Sequence, residues 1–390
     1  MCPTFIVTRE ELLSTRGRAN LISAALAGCS HDRPDPLQFE GLREALGSCL
    51  SCKACTTECP SNVNLALLKT ELLHAEIQRQ GLTIAQRLFS SIDRLGRLGC
   101  AFPRVANAIL GYGWVRGVLE KFIGLDAQRP LPHYTRTRFD RWFAKRPAGS
   151  HATRGRVVLW DDTFLRYHEP HIGAAAVRVL EAAGFEVALQ ADRECCGRPA
   201  FSQGHLQAAG AMGRHNLNLL NQHVDNAPIL FLEPSCYSMF AQDYRELKIP
   251  GADAVARRSF LFEQFIEELL IREPSALKFK SKEANVVIHP HCHLKSLMNP
   301  AFLQSLAERL PGKNVALLDS ACCGMAGAFG AMSENSALSA AVAAPLVQKV
   351  RAQPFGTTII ASGTSCRHQL GYLVPIHGKH MAELLADSLA

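Results

Sequence analysis

The distribution of cysteine is the feature that most constrains this chain. The 390 residues include 14 cysteines; four fall between positions 49 and 59, and two adjacent pairs are each followed by glycine. Disulfide frameworks are typical of short secreted chains, whereas this N-terminus, MCPTFIVTREE, lacks the basic and apolar regions of a signal peptide. We therefore expect the cysteines to serve metal or redox chemistry in a reducing compartment, the cytoplasm.

Composition indicates a folded protein of two or three domains. Hydrophobic residues make up 47% and charged residues 20% of a chain of 390 residues, which is too long for one ordinary core. The net charge of +7 is modest for this length and does not by itself imply nucleic acid. An acidic partner subunit or the inner face of a membrane fits it equally well. No run of about 18 uncharged apolar residues occurs, so we expect no transmembrane helix.

The hydrophobic pattern divides the chain into a helical part and an α/β part. Residues 1–124 show mostly helical spacing, and residues 125–155, rich in arginine and proline, are predicted to be a basic linker. From residue 156 onward, short β-branched runs alternate with helical stretches, which predicts parallel strands with crossover helices. The predicted strands lie in RVVLW, FEVALQ, PILFLE, NVVIHP, NVALLD and TTIIAS.

The α/β part repeats internally. VVLWDDTF, ECCGRPAFSQG and ILFLEPSC in one half correspond to VVIHPHCH, ACCGMAGAFG and IIASGTSC in the other. Two copies of one supersecondary unit explain this pattern, and we assign them to residues 156–275 and 276–390. Because the cysteines of each copy follow predicted strands, we expect ligands to gather at the carboxyl ends of a sheet.

The first cysteine group has the spacing Cys-x-x-Cys-x-x-Cys-x-x-x-Cys-Pro. In bacterial ferredoxins such a run holds iron–sulfur clusters, and its fourth cysteine ligates the other cluster of a two-cluster protein. Zinc is the rival metal, but zinc sites usually use two separated cysteine pairs. We therefore predict an N-terminal helical ferredoxin-like domain with a 4Fe-4S cluster, whose candidate ligands are Cys49, Cys52, Cys55 and Cys59.

The dipeptide Cys2-Pro3 resembles the end of a second ferredoxin motif without its three upstream cysteines. Under the cross-ligation rule, Cys2 completes the cluster of the first three cysteines of the run, and Cys59 lacks a cluster of its own. This predicts that the chain is the C-terminal part of a longer protein or one subunit of a split protein. The alternative is a local site that Cys59 closes.

Each α/β unit carries Cys-Cys-Gly and a further cysteine after a later strand. Adjacent cysteines cannot easily face one small ion, but they can hold a larger iron–sulfur cluster, and Gly324 and Gly327 would let the backbone approach its sulfides. For the second unit we predict such a cluster, with the candidate ligands Cys292, Cys322, Cys323 and Cys366. The candidates in the first unit are Cys195, Cys196 and Cys236. Asp161-Asp162-Thr163 stands in the slot of Cys292, which leaves an oxygen ligand, an open iron position or no cluster as alternatives.

Other residues near these groups are interpreted as neighbours. The histidines expected to lie around the sites without ligating are His168, His171, His289, His291, His293 and His368. Cys29 and Cys100 have apolar helical contexts and are predicted to be buried bystanders. No dinucleotide fingerprint or P-loop occurs, so we expect FAD only in a partner or in an upstream domain.

These motifs together resemble the CCG cysteine-rich proteins, which include glycolate oxidase iron–sulfur subunits, anaerobic glycerol-3-phosphate dehydrogenase C-type subunits and heterodisulfide reductase B-type subunits. The resemblance is greater to the C-terminal iron–sulfur portion of FAD-linked D-2-hydroxyacid dehydrogenases of the D-lactate and D-2-hydroxyglutarate kind. The segments that carry it are MCPTFIVTREELLSTRGRAN, CLSCKACTTECPSNVNL, DDTFLRYHEP, CCGRPAFSQG, HPHCHLKSLM, CCGMAGAFG and SGTSCRHQ. It implies an electron-transfer module that receives electrons from a flavin domain and is inactive alone.

The alternative is a thiol–disulfide oxidoreductase of the heterodisulfide reductase type, with its chemistry at a CCG site. Sites of that type carry a Cys-x-x-Cys ending. Here Cys236 is followed by Tyr-Ser-Met and Cys366 by Arg-His-Gln, so the ending is missing twice. The sequence therefore favours electron transfer, and it leaves the hydroxyacid and the electron acceptor open.

Overall fold

The computed structural model describes residues 2–27, 41–60, 63–147, 152–222 and 226–390, so that Cys29 lies outside the described residues. The N-terminal part is helical, as its apolar spacing predicts, with a 3₁₀ turn at Glu11–Leu13. Its helices are α1 (Pro3–Thr8), α2 (Thr15–Ala27), α3 (Leu42–Gly47), α4 (Ala54–Glu58), α5 (Leu65–Gln80), α6 (Ile84–Ser90), α7 (Ile92–Gly99), α8 (Pro103–Gly111), α9 (Gly113–Ile123) and α10 (Phe139–Lys145). Across the described part of the chain, no helix combines the length and apolar character needed to cross a bilayer.

The C-terminal part alternates strands and helices. The strands are β1 (Arg156–Trp160), β2 (Glu186–Leu189), β3 (Ile229–Phe231), β4 (Ser259–Leu261), β5 (Ala284–Ile288), β6 (Lys313–Leu317) and β7 (Thr358–Ile360). The helices are α11 (Thr163–Tyr167), α12 (Pro170–Ala182), α13 (Arg198–Ser202), α14 (Leu206–Asn221), α15 (Pro234–Ser238), α16 (Tyr244–Glu246), α17 (Ala252–Arg257), α18 (Phe262–Arg272), α19 (Cys292–Leu297), α20 (Ala301–Glu308), α21 (Ser333–Arg351), α22 (Thr364–Leu373) and α23 (Met381–Ser388). A π-helical turn spans Met239–Asp243, and a 3₁₀ turn spans Phe329–Ala331.

The strands form two parallel sheets with related topology. The first has the order β2-β1-β3-β4 and the second the order β6-β5-β7. In register, Val158 of β1 pairs with Ala188 and Ile229, and Val286 of β5 pairs with Val315 and Thr358. The predicted α/β architecture with two repeated units is thus confirmed, and each of the six predicted strands forms. Strand β4 was missed, because its three residues run directly into the helical pattern of α18.

One core unites the two units. The central strand β1 is buried on both faces, as is typical of parallel sheets, with Val157 buried on one face and Val158 on the other. Helix α23, at the end of the second unit, packs on α12 of the first, and its Leu385 belongs to the same apolar cluster as Val157. Each such side chain contributes about 1.5–3 kcal/mol when fully buried. The two cysteine-bearing sheet edges are therefore held in a fixed relation.

The described residues of the segment 125–155, predicted to be a linker, pack against both α/β units. Arg129 donates to Gln369 Oε1 of the second unit at 2.6 Å, and α10 packs on α12 of the first. Phe139 of α10 is fully buried. A Cβ atom at Gly173 would lie 2.5 Å from the ring of Phe139, so only glycine allows this approach. The domain limits and the ferredoxin-like character of the N-terminal helices stay predictions.

Candidate metal centres

Four cysteines line one cavity in the N-terminal part: Cys2, Cys49, Cys52 and Cys55. The empty space of this cavity, including solvent at its opening, is about 360 Å³. Cys59 follows α4 as its C-terminal cap and is not one of the lining residues. The structure thus brings Cys2 to the three cysteines that the cross-ligation hypothesis assigns to it.

The position of Cys2 is fixed by the start of α1 and by a buried arginine. Pro3 is the first helical residue, where its missing N–H costs nothing. Arg18 is almost fully buried, donates to Cys2 Sγ at 3.0 Å, and donates to the Ala45 backbone oxygen at 2.6 Å. Burial raises the pKa of Cys2, but the Arg18 charge and the Thr4 hydroxyl outweigh it, so the pKa is lowered. A lowered pKa favours the thiolate, which is the form that binds metal.

A second basic side chain lies beside the cysteine run, at Cys49. The Lys69 ammonium is buried and donates to the backbone oxygen of Cys49 at 2.6 Å. Burial lowers the pKa of Lys69, and the neighbouring Cys49 opposes that shift. Two buried cations beside four thiols prepare the cavity for a negatively charged group. These residues fit an iron–sulfur cluster held by thiolates.

Lys53, within the cysteine run, ties this loop to the first α/β unit. Its ammonium donates to Asp243 Oδ1 at 2.7 Å and to Ser238 Oγ at 3.1 Å, and Arg198 also pairs with Asp243. The backbone of Lys53 is left-handed, with φ 61°. A lysine among cysteines carries no sequence signal of this burial, so sequence reasoning missed it.

The second α/β unit gathers its cysteines at the carboxyl ends of three strands, as predicted. Cys292 begins α19 after β5, and Cys366 lies in α22 after β7. Cys322 and Cys323 follow β6 in a loop. The hydrogen bond with Cys322 and burial together raise the pKa of Cys292 well above its usual value.

Cys322, Cys323 and Cys366 are buried and Cys292 is partly buried, and the pKa of each of the four thiols is raised. A cation is needed before all four can ionise, so this donor set also fits an iron–sulfur cluster. Within the described ranges, no group of three or more His, Cys, Asp or Glu side chains is arranged to hold a single metal ion.

The glycine of each Cys-Cys-Gly sequence is required by packing. Gly324 has φ +82°, and a Cβ atom there would lie 2.2 Å from the Ser339 backbone oxygen on α21. Gly197 has φ +75°, and its Cβ atom would lie 3.2 Å from Ala209 on α14. Both positions therefore let the cysteine loop approach the following helix. The expected approach of Gly324 and Gly327 to the sulfides stays a prediction; a Cβ atom at Gly327 would meet no protein atom within 4 Å.

The first α/β unit repeats this arrangement with one change. Thr163 begins α11 as Cys292 begins α19, so Thr163 occupies the position of the missing cysteine. Cys196 Sγ lies 2.9 Å from Cys236 Sγ. The hydrogen bond with Cys196 and burial raise the pKa of Cys195 well above its usual value. The three candidate cysteines of this unit are thus brought together.

The two aspartates beside Thr163 are engaged within the protein. Asp161 accepts from Arg166 Nε at 2.5 Å and Nη2 at 2.8 Å. Asp162 accepts from the backbone N–H groups of Phe164 and Leu165 and so caps α11. Burial, together with Glu233, raises the pKa of Asp162 to about 7.

Four of the six predicted histidine neighbours lie near the second unit's cysteines in the chain: His289, His291 and His293 flank Cys292, and His368 follows Cys366 in α22. The other two lie elsewhere, with His168 hydrogen-bonded to the His133 backbone oxygen and His171 exposed beside Glu383. His289 is within 2.7 Å of Ser320 Oγ, and the His291 ring accepts from the His293 backbone N–H at 3.1 Å. Burial lowers the pKa of His289 to about 3 and that of His293 well below its usual value, so both rings are neutral at physiological pH. Cys100 is buried and donates to the Tyr167 backbone oxygen at 3.4 Å.

The N-terminal centre and the second α/β centre adjoin each other. Cys52 packs in the same apolar cluster as Cys292 and Cys322, together with Leu50 and Val342. Burial and the neighbouring Cys292 raise the pKa of Cys52 well above its usual value. A shared apolar cluster therefore joins the two groups of four cysteines.

The sequence matches the family CCG, described as "Cysteine-rich domain", at residues 161–241 and 286–371. Each match covers the cysteines of one α/β unit. The chain carries two CCG cysteine-rich domains. The family resemblance predicted from the motifs is thereby confirmed.

Relatives of known description agree with this assignment. The C-type subunit of the anaerobic glycerol-3-phosphate dehydrogenase of Escherichia coli is 26% identical over 78% of this chain and 76% of its own length. The D-2-hydroxyglutarate dehydrogenase of Pseudomonas putida is 24% identical over 99% of this chain but only 41% of its own length. Lactate utilization protein A of an Exiguobacterium species is 27% identical over 56% of this chain and 92% of its own length. The chain is thus homologous to proteins named as dehydrogenases or dehydrogenase subunits, which does not favour the thiol–disulfide alternative.

Proposed function

We propose that this protein is the iron–sulfur electron-transfer module of a FAD-dependent D-2-hydroxyacid dehydrogenase, for lactate, 2-hydroxyglutarate or glycolate. The observation that carries the proposal is the packing of Cys52, Cys292 and Cys322 in one apolar cluster. Iron–sulfur clusters at these two centres would accept and release single electrons. The protein's contribution is to hold the two sites in a fixed relation and to set their electrostatics.

The N-terminal centre and the second α/β centre each have their own candidate ligands. Cys2, Cys49, Cys52 and Cys55 would hold a 4Fe-4S cluster, with Arg18 and Lys69 offsetting its negative charge. Cys292, Cys322, Cys323 and Cys366 would hold a further cluster. Leu50 and Val342 are buried members of the apolar cluster in which residues of both centres pack.

The partner in this proposal is a FAD-binding dehydrogenase domain or subunit that reacts with the hydroxyacid. Several relatives are dehydrogenases by name, and one of them extends well beyond the region shared with this chain, since the match covers 41% of it. The cytoplasm is the compartment in which 14 cysteines stay reduced. The chain alone is expected not to oxidise D-lactate, D-2-hydroxyglutarate or glycolate.

The test is an anaerobic redox titration of the purified chain with photoreduced flavin as electron donor. We expect a brown protein with iron and acid-labile sulfide, whose visible absorbance bleaches on reduction. Cys55→Ser and Cys366→Ser should each remove one centre's signal and leave the other. A colourless protein that contains only zinc would contradict the proposal.

A further inference from the structure

Helices α8 and α9 contain no buried residue. Surface helices of globular proteins normally bury an apolar stripe against the core. In α9 the apolar stripe points outward instead, because Trp114, Val118 and Phe122 are four residues apart and lie on one side of the helix. Their exposed fractions are 72%, 46% and 66%.

The apolar stripe continues over α8 and the turns that flank it, and α8 packs against both α7 and α9. The α8–α9 face, as we define it, consists of Leu98, Phe102, Val105, Ile109, Tyr112, Trp114, Val118 and Phe122, all of them exposed. Single exposed apolar residues are ordinary on a protein surface. A contiguous set with four aromatic rings marks an interaction surface.

The α8–α9 face is held rigidly on the rest of the protein. At one end, Asn107 exchanges two hydrogen bonds with the backbone of Tyr134, at 2.9 and 2.8 Å. At the other end, the Ser333 N–H donates to the Gly124 oxygen at 2.8 Å, and the Asp126 N–H donates to the Ala331 oxygen at 2.9 Å. These hydrogen bonds therefore hold α8 and α9, with their apolar side chains, in a fixed position on the protein.

The exposed charged residues around the α8–α9 face indicate what kind of partner binds there. Between residues 92 and 124, the exposed charged residues are four basic ones, Arg94, Arg97, Arg104 and Lys121, and one acidic one, Glu120. Aromatic and aliphatic side chains flanked by arginine and lysine are the composition of helices that lie in the interface of an anionic membrane. We infer that the α8–α9 face docks on an anionic lipid bilayer, with Trp114 and Phe122 entering the interfacial region.

This inference goes beyond the proposed function, because it concerns where the module works. The backbone hydrogen bonds of Gly124 and Asp126 join the end of α9 to Ala331 and Ser333. These two residues follow the loop of Cys322 and Cys323. Docking would therefore fix the second CCG domain relative to the membrane surface.

The experiment uses the full chain, purified anaerobically with its clusters. Vesicles of phosphatidylcholine and phosphatidylglycerol in about equal parts should bind it, and brominated acyl chains should quench the emission of Trp114. The triple variant Phe102→Ser/Trp114→Ser/Phe122→Ser should bind these vesicles about tenfold more weakly than wild type, or more weakly still. Phe355→Ser is the matched control, because Phe355 is a fully exposed aromatic residue outside the face, and it should bind like wild type.

Two further measurements make the outcome decisive. Arg97→Glu/Arg104→Glu/Lys121→Glu should weaken binding to the anionic vesicles and leave the cluster absorbance intact. Equal vesicle binding by wild type and the apolar triple variant would overturn the inference, as would the absence of vesicle binding by wild type. A self-association or a flavoprotein complex that the triple variant loses, without vesicle binding by wild type, would assign the face to a protein instead. Because reduction by flavin is measured on the same samples, failure here is distinct from failure of the proposed function.

Discussion

His293 Nε2 lies 3.1 Å from the backbone oxygen of Ser51, which connects the helix that begins with Cys292 to the loop between Cys49 and Cys52. Burial holds the pKa of His293 well below its usual range, so the ring is neutral and donates through Nε2. This hydrogen bond links the two candidate centres directly. It gives the imidazole a positioning role.

Loss of this link should weaken the coupling between the centres. In His293→Ala we expect normal iron content but a weaker magnetic interaction between the two reduced clusters, because α19 is no longer held to the Ser51 loop. The measurement is paramagnetic resonance of the fully reduced protein. His215→Ala, which removes a ring hydrogen bond to Asp192 outside the sites, should leave the spectrum unchanged. An unaltered interaction in His293→Ala would contradict the positioning role.

The cavity predicts different effects for two cysteines of the ferredoxin-type motifs. Cys2→Ser should lower the iron content and change the reduced-cluster signal, because Cys2 lines the cavity and receives a hydrogen bond from Arg18. Cys59→Ser should matter less, because Cys59 is not among the lining residues. Iron analysis and paramagnetic resonance of both variants decide the matter. The reverse order of damage would support a local four-cysteine site.

The sequence was informative wherever the signal was local. The dipeptide Cys2-Pro3 pointed to the cavity although it lies far from Cys49 in the chain, and β-branched runs located six strands. Residues whose role depends on distant partners were not predictable. Lys53 is buried because Asp243, 190 positions away, accepts its hydrogen bond. The outward apolar stripe of α9 has the same spacing as a buried one, so only the structure shows that nothing in the described chain covers Trp114.

Lys53→Met should destabilise the protein by roughly 2–3 kcal/mol, because it leaves Asp243 buried with one fewer cation. Arg198 remains beside Asp243, which keeps the loss below that of an unpaired buried charge. Anaerobic denaturant unfolding measures the change. The control is Lys379→Met, whose ion pair with Asp387 is half exposed and is expected to contribute about 0–1 kcal/mol. An equal loss of unfolding free energy in the two variants would show that the buried ion pair stabilises the protein no more than the exposed one.

Glu263 should make stability fall as pH rises. Burial is the main reason that its pKa is raised from 4.5 to about 7. The unfolded chain releases this proton near 4.5, whereas the native protein holds it to about 7, so the stabilisation is complete below 4.5 and is lost as pH rises through 7. Within that window, wild type should lose about 1.4 kcal/mol per pH unit relative to Glu263→Gln.

Denaturant unfolding of Glu263→Gln and wild type across this window measures the difference. The histidines of lowered pKa are present in both proteins, but His380 Nε2 lies 3.7 Å from Glu263 Oε1, so the contribution cancels only for the histidines away from Glu263. Glu268→Gln, a change at a partly exposed position of the same helix, serves as the control and should follow wild type. A constant difference between Glu263→Gln and wild type at all pH values would refute the assignment.

The first CCG domain should gain a metal centre from a single substitution. The sequence placed Asp161-Asp162-Thr163 in the slot of Cys292, and the start of α11 identifies Thr163 as the counterpart of Cys292. Thr163→Cys would place a fourth thiol beside the cysteines already gathered there, at the cost of the hydrogen bond from Thr163 Oγ1 to Asp93.

We therefore expect more iron and sulfide per chain in Thr163→Cys than in wild type, together with an additional reduced-cluster signal, because thiolates are the ligands that iron–sulfur clusters require. Thr163→Ser is the matched control, since it keeps a hydroxyl at the same position and should bind no more iron than wild type. Chemical reconstitution under anaerobic conditions, followed by iron analysis, compares the three proteins. Equal iron content in Thr163→Cys and Thr163→Ser would mean that the missing thiolate is not what distinguishes the first CCG domain from the second.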